Sequence, residues 1–156
     1  MANSNPVNRW SFRSDLPQVK ETGLTGIKTA RTPADVRAIC ADMATIAQES
    51  FVCLDLNAKN GVIDRRLVTL GIADASLVHP REVFRGAILN CACAVIVSHN
   101  HPSGDATPSA EDVRVTRQLV DAGQILGIRV LDHVVIGRGE RDHVSLRESG
   151  LVEFSK

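Results

Sequence analysis

The stretch VIVSHNHPSGDATPSAED, from Val95 to Asp112, predicts a strand, a loop and the first turn of a helix. Apolar residues lead into His99 and His101, and a strand places side chains i and i+2 on the same side, so both imidazoles can face one ion. Prolines and a glycine then interrupt the strand, and a helix beginning near Ser109 brings Asp112 back towards the histidines. Two nitrogens and one carboxylate oxygen, with a fourth position for water, form the ligand set of a catalytic zinc site.

The same residues also have ordinary structural explanations. Ser109 followed three residues later by Asp112, ahead of an apolar-periodic run, is a helix start of the capping-box kind, which needs no metal. Histidines in a loop are commonly only polar loop residues. The metal interpretation is favoured by the combination of two histidines on one strand face with an acid at the start of the next helix.

The spacing H-x-H-x7-S-x2-D, which runs from His99 to Asp112, resembles the motif of the JAMM (MPN-plus, or JAB) zinc metalloproteases. The string HNHPSGDATPS, followed by LDHVVIG over residues 131–137, resembles the RadC branch of that superfamily, as does PREVF over residues 80–84. The matches run in the right order from about residue 32 to residue 150. This resemblance implies a cytidine-deaminase-like α/β/α sandwich with one Zn2+ per chain, bound by the two histidines and the aspartate of the motif.

The resemblance also implies catalytic roles. In RadC-like chains the general base is a glutamate just before the first hairpin strand, which is the position of Glu49. Glu49 is also predicted to lie at a helix C-terminus, where its charge opposes the helix dipole, and that cost favours a functional reason over a merely exposed acid. Glu82, in the first turn of the next predicted helix, is the alternative base. Ser109 resembles the motif serine and is expected to donate to a developing oxyanion, unless it serves only as a helix cap.

Further polar residues of the same strings are expected to support the site. Asp132 and His133 are adjacent on a predicted strand and must face opposite ways, so only one of them can support the metal ligands. Ser103 and Asp105 lie in the loop above the site, where they are expected to shape substrate entry.

Hydrophobic periodicity predicts the remaining elements. The predicted elements are a helix from the Thr32 cap to near Gln48, a hairpin of residues 51–56 and 62–70, a helix from Pro80, a buried strand over 94–98, a helix from Ser109 to about Leu126 that stops at Gly127, a strand over 128–136 and a short last segment from His143. The residues predicted to face inward on the helices are Val36, Ile39, Cys40, Met43, Ile46, Ala47, Val83, Phe84, Ala87, Ile88, Val113, Thr116, Leu119, Val120 and Leu126. This pattern predicts an α/β domain with a mixed β-sheet flanked by helices.

Composition limits the classes of function. The 156 residues carry no net charge and no polybasic block, so a nucleic-acid surface could only be a local patch. The four cysteines form no C-x-x-C pair, and with no secretory signal they are interpreted as reduced core thiols of a cytoplasmic protein. Cys91 and Cys93 cannot join the histidines as ligands, because six residues of strand separate Cys93 from His99 by roughly 20 Å.

Residues 1–31 are predicted to form a flexible N-terminal arm, and residues 32–156 the RadC-like JAB/MPN zinc domain. Trp10 and Phe12 are expected to dock the arm on the domain or on a second subunit, which makes the arm a candidate contact in a homo-oligomer. Full-length RadC-like proteins carry a helix-hairpin-helix region ahead of the zinc domain. The chain resembles the short form without that region.

Three functions follow as hypotheses. The first is a zinc-dependent metallopeptidase or isopeptidase acting on a peptide or protein substrate. The family that the chain resembles includes enzymes that remove ubiquitin-like proteins from lysine, so ubiquitin-like conjugates are candidate substrates. The second is an accessory factor in DNA repair or recombination, although the neutral charge predicts no strong direct DNA binding. The third is a non-catalytic zinc-binding interaction module. The H-x-H pattern also occurs in amidohydrolase barrels, but these need roughly 200 residues or more, so the length argues against that class. The H-x-E and P-C-x-x-C signature of zinc deaminases is absent, which argues against that class as well.

Overall fold

The strand that carries His99 lies at the centre of a mixed β-sheet. The structure, a computed structural model, describes residues 29–71 and 78–154. Within these residues the strands are β1 (Ser50–Leu56), β2 (Val62–Leu70), β3 (Ala94–Asn100), β4 (Arg129–Ile136) and β5 (His143–Ser145). They pair in the order β2-β1-β3-β4-β5, with β3 and β4 parallel and the other neighbours antiparallel.

Helices cover both faces of this sheet. They are α1 (Pro33–Ile39), a short 3-10 helix (Ala41–Thr45), α2 (Pro80–Leu89) and α3 (Ala110–Leu126). Because successive strand residues point to opposite faces, Val95 and Val97 pack with α2 and α3, whereas Ala94 and Ile96 pack with α1. The predicted α/β domain, with a mixed sheet flanked by helices, is confirmed.

Local residues determine where the helices begin and end. The Thr32 side chain accepts a hydrogen bond from the backbone N–H of Asp35 at 3.2 Å, and Pro33 is the first helical residue. Ser109 caps α3 in the same way, and Gly127 ends α3 in the left-handed region at φ 69°. The predicted starts of both helices and the stop of α3 are confirmed.

The first helix is shorter than predicted. Periodicity suggested one helix from the Thr32 cap to near Gln48, but α1 ends at Ile39 and a 3-10 segment follows. This tighter segment buries Met43 and sets Asp42 2.9 Å from Arg65 of β2. The prediction of a continuous helix is wrong, because residues 46–49 form a non-helical connection with a bend at residues 47–48 that leads into β1.

Some apolar residues that were predicted to face inward are exposed. Ile88 and Leu126 are 54% and 47% exposed, and Ala47 is also exposed. Ile88 and Leu126 line an open groove beside Phe84, at the place where α2 and α3 approach each other. Periodicity places them on the apolar stripe of each helix, but the neighbouring elements cover only part of that stripe.

The cysteines divide into two kinds. Cys40 and Cys53 are buried free thiols, as predicted, and burial raises the pKa of both. Cys91 and Cys93 are exposed, so the prediction that they are core thiols is wrong. They lie at the tight connection between α2 and β3, where Cys91 adopts a left-handed backbone with φ 50°.

Residues 1–28 of the predicted arm, with Trp10 and Phe12, lie outside the described residues. Where the description begins, Thr29 forms a β-bridge with Gly61 and Ala30 is buried in the core. None of the helices described within residues 29–71 and 78–154 is both long and apolar enough to cross a membrane.

Candidate metal centre

Two histidines and an aspartate meet where β3 ends and α3 begins. His99 is the sixth residue of β3, and His101 follows the strand directly. The Nε2 atoms of the two histidines are 2.9 Å apart. Asp112 places Oδ1 3.3 Å from His99 Nε2 and Oδ2 3.5 Å from His101 Nε2. Within the described chain, these three residues form the one cluster of His, Cys, Asp or Glu side chains with metal-binding geometry.

The donor atoms suit a small cation. Ligand atoms at about 2.0–2.1 Å from a tetrahedral zinc ion lie about 3.3 Å from one another, and the observed separations are 2.9, 3.3 and 3.5 Å. His101 Nδ1–H donates to the backbone carbonyl of Asp105 at 2.7 Å, so neutral His101 carries its lone pair on Nε2. Two nitrogen lone pairs and a carboxylate directed at one point repel each other unless a proton or a metal ion lies between them. The residues therefore fit zinc.

Capping geometry directs Asp112 to this point. Its Oδ2 accepts from the backbone N–H of Ser109 at 2.7 Å, and the Ser109 hydroxyl accepts from the backbone N–H of Asp112 at 3.1 Å. Asp112 therefore completes the capping box and is also the carboxylate of the candidate metal centre. The structural and functional readings of this motif are compatible.

The electrostatics of the cluster follow from burial and from the histidines. Burial by itself would raise the pKa of Asp112, whose side chain is only 2% exposed. Interaction with His101 and His99 outweighs burial and holds the pKa of Asp112 well below its usual range. Asp112 raises the pKa of His101 in return, and the negative charge of Glu49 adds to that increase. Asp112 is thus an ionised carboxylate, the form that binds metals.

Glu49 lies close enough to the cluster to act on its charge, although it makes no direct contact with the three residues among the described interactions. It is not at a helix C-terminus, so the dipole argument for its function is wrong. Its position depends on Asn100, a buried residue between the two histidines. The Asn100 side chain accepts from Ser50 N at 2.8 Å and donates to the carbonyl of Gln48 at 3.1 Å. These two bonds hold the backbone on either side of Glu49.

The other predicted site residues lie around this centre or apart from it. The capping contact of Ser109 uses a lone pair of the hydroxyl oxygen and leaves its proton for another acceptor. Asp105 shapes the loop, since its carbonyl orients His101 and its backbone N–H donates to Ser103 Oγ. Glu82 is half exposed in the first turn of α2, where its ion-pair partner is the neighbouring Arg81 at 3.7 Å.

A bulge in β4 decides which residue of the Asp132–His133 pair faces the candidate metal centre. The pairing of β3 with β4 shifts between Val95 and Ile96, so that the extra residue of β4 inverts its alternation. His133 then faces His99, with its Nε2 2.8 Å from His99 Nδ1. Asp132 points to the opposite face and binds the hydroxyl of Ser145. The prediction that only one of the pair could face the site is confirmed, and that residue is His133.

His133 is fully buried and is joined to α3. Its Nδ1 lies 2.6 Å from Thr116 Oγ1, and the Thr116 hydroxyl contacts the backbone carbonyl of Asp112 at 2.6 Å. Burial lowers the pKa of His133 well below its ordinary value, so the imidazole is neutral. Asn100 and Thr116 were missed as site residues in the sequence. The signal for Asn100 was its place inside H-N-H, whereas Thr116 was predicted only as an inward-facing helix residue.

A mixed α/β sheet with two histidines at the end of a central strand, and an aspartate from the following helix, defines a JAB-type domain. The model of the RadC-like JAB domain matches residues 30–151. The chain therefore belongs to the RadC-like JAB domain family.

Relatives of known sequence agree with this assignment. The chain is 51% identical over 126 residues to a UPF0758 protein of Halalkalibacterium halodurans, covering 80% of this chain and 53% of that protein. It is 50% identical over 121 residues to a UPF0758 protein of Bacillus cereus, covering 77% and 53%. A UPF0758 protein of Geobacillus thermodenitrificans is 46% identical over 136 residues, covering 86% and 59%. The chain spans little more than half the length of these relatives.

Proposed function

We propose that the chain is a zinc-dependent hydrolase of amide bonds, a metallopeptidase or isopeptidase that acts on a peptide or protein substrate. The observation that carries the proposal is the convergence of His99, His101 and Asp112, with Glu49 near enough to act on the charge of His101 and flanked by backbone that Asn100 holds. A non-catalytic zinc-binding module has no need of Glu49, which is not one of the three candidate ligands. The placement of a fourth, acidic residue favours catalysis.

The chemistry divides among the residues as follows. His99, His101 and Asp112 would hold the ion, and zinc bound there would act as a Lewis acid that polarises a carbonyl and acidifies water. The Glu49 carboxylate accepts a proton from the attacking water and returns it to the leaving nitrogen as the C–N bond breaks. Ser109 donates its free hydroxyl proton to the oxygen of the substrate carbonyl as negative charge develops there.

Metal content is the first test. Protein purified without added metal and without a metal-affinity tag is analysed by inductively coupled plasma mass spectrometry. We expect one zinc per chain in the wild type and in Glu49→Gln, and loss of zinc in His101→Ala, because the ligands hold the ion and the base only moves protons. A folded wild-type protein that does not bind added zinc would contradict the proposed function.

Turnover is the second test. A peptide library and a set of lysine-isopeptide-linked peptides are incubated with each variant, and mass spectrometry detects the new termini. Cleavage should occur with the wild type, stop on chelation, and fall by about 100-fold or more in Glu49→Gln, the loss expected for a general base. Glu82→Gln is the matched control and should cleave normally. Zinc binding without cleavage that depends on Glu49 would favour the non-catalytic module.

A further inference from the structure

We propose that Thr116 and His133 set the tautomer of His99 and thereby aim its lone pair at the metal. The inference rests on the proposed metal site, and it assigns positioning roles to two residues that are not among the three candidate metal ligands. It follows from the direction in which protons must point along a chain of buried hydrogen bonds. All the side chains in that chain are at most 2% exposed.

The chain of contacts begins and ends at metal ligands. His99 Nδ1 lies 2.8 Å from His133 Nε2, and His133 Nδ1 lies 2.6 Å from Thr116 Oγ1. Thr116 Oγ1 lies 2.6 Å from the backbone carbonyl oxygen of Asp112. Asp112 thus contributes its carboxylate to the metal cluster and its carbonyl to the far end of the chain.

One proton direction satisfies every contact. A carbonyl oxygen only accepts, so the single hydroxyl proton of Thr116 must point to Asp112. Thr116 Oγ1 must then accept, and the donor is His133 Nδ1–H. Neutral His133 consequently carries a lone pair on Nε2, which accepts from His99 Nδ1–H. Neutral His99 is left with its lone pair on Nε2, the atom that faces His101 and Asp112.

The reverse direction leaves a contact unsatisfied. If His133 Nε2–H donated to His99, then His133 Nδ1 would need the Thr116 proton. The oxygens of Thr116 and Asp112 would then face each other at 2.6 Å with no proton between them. A threonine hydroxyl bonded to the carbonyl four residues earlier is common in helices and needs no function. Because Thr116 also contacts His133, this ordinary bond determines which atom carries the proton in each of the remaining contacts.

Two threonine variants isolate this effect. Thr116→Val is close to isosteric and removes the hydroxyl, whereas Thr116→Ser keeps it and serves as the matched control. The first measurement is the tautomer of His99 in the metal-free protein, taken from imidazole 15N shifts and two-bond 15N–1H correlations. We expect the Nδ1–H form in the wild type and Thr116→Ser, and a mixture of both forms in Thr116→Val. The Nε2–H form in the wild type would overturn the proposal.

The second measurement is zinc affinity, by competition with a chromophoric chelator. Loss of a partner that orients a metal-binding histidine weakens metal binding by about 10–100-fold. Thr116→Val should show a loss in this range, and Thr116→Ser a change below about 3-fold. Equal affinities in a folded Thr116→Val would overturn the proposal. The tautomer of the wild type is measured without metal. Failure of zinc binding, which would reject the proposed function, is therefore distinguishable from failure of the tautomer assignment.

Discussion

Two neighbouring arginines on β2 each bind both oxygens of a carboxylate, in different surroundings. Arg66 binds Asp55 through Nε at 2.6 Å and Nη2 at 2.7 Å, and the Asp55 side chain is 0% exposed. Arg65 binds both carboxylate oxygens of Asp42 at 2.9 and 3.0 Å, but the Asp42 side chain is 58% exposed. The same substitution at the two positions therefore tests what burial contributes.

We expect Arg66→Met to be far more destabilising than Arg65→Met. Removal of Arg66 leaves the Asp55 carboxylate buried with Asn90 as its remaining strong donor, at 2.7 Å. An uncompensated buried charge costs about 3–5 kcal/mol in the free energy of unfolding. Loss of the exposed pair costs about 0–1 kcal/mol, because water solvates the released Asp42.

Urea denaturation followed by circular dichroism measures both changes in the free energy of unfolding, and thermal denaturation measures the corresponding melting temperatures. At about 2–4 °C per kcal/mol for a chain near this length, the melting temperature should fall by about 6–20 °C in Arg66→Met and by about 0–4 °C in Arg65→Met. The double variant Asp55→Leu/Arg66→Met removes both charges and should recover much of the loss. Equal destabilisation by the two single substitutions would contradict this prediction, because it would mean that burial of the carboxylate has no energetic consequence.

Two further predictions concern the site and its partners. Asn100→Asp replaces an amide that donates to two backbone carbonyls with an oxygen that repels them. Zinc binding should persist, whereas cleavage should fall on the order of 10–100-fold because Glu49 is displaced. Cleavage at the wild-type rate in a zinc-loaded variant would contradict this prediction. Duplex DNA should bind with a Kd on the order of 10⁻⁴ M or weaker at physiological salt, because Arg114 is paired with Glu111 and Arg117 contacts a backbone carbonyl. A fluorescence anisotropy titration at several salt concentrations checks it, and a steep salt slope with submicromolar affinity would favour the DNA-repair hypothesis instead.

The sequence alone determined the features that depend on neighbouring residues. Three such features are each specified by a few neighbouring residues: the cap at Thr32, the stop at Gly127 and the hairpin turn over residues 57–61. The structure has each of them as predicted. The spacing from His99 to Asp112 belongs to the same kind of information, since a strand, a short loop and a capped helix start lie within 14 residues of sequence. Such features form wherever their local bonds can be made.

Only the tertiary structure decided which distant residues serve these local features. His133 is 34 residues from His99, and its orientation depends on a bulge that no local pattern marks. Asn100 fixes the backbone beside Glu49 across 50 residues of sequence. The exposure of Ile88 was equally undetermined, because periodicity defines the apolar face of a helix but not how much of that face other elements cover. Contacts between distant segments depend on strand register and helix packing, and these are fixed only when the whole chain folds.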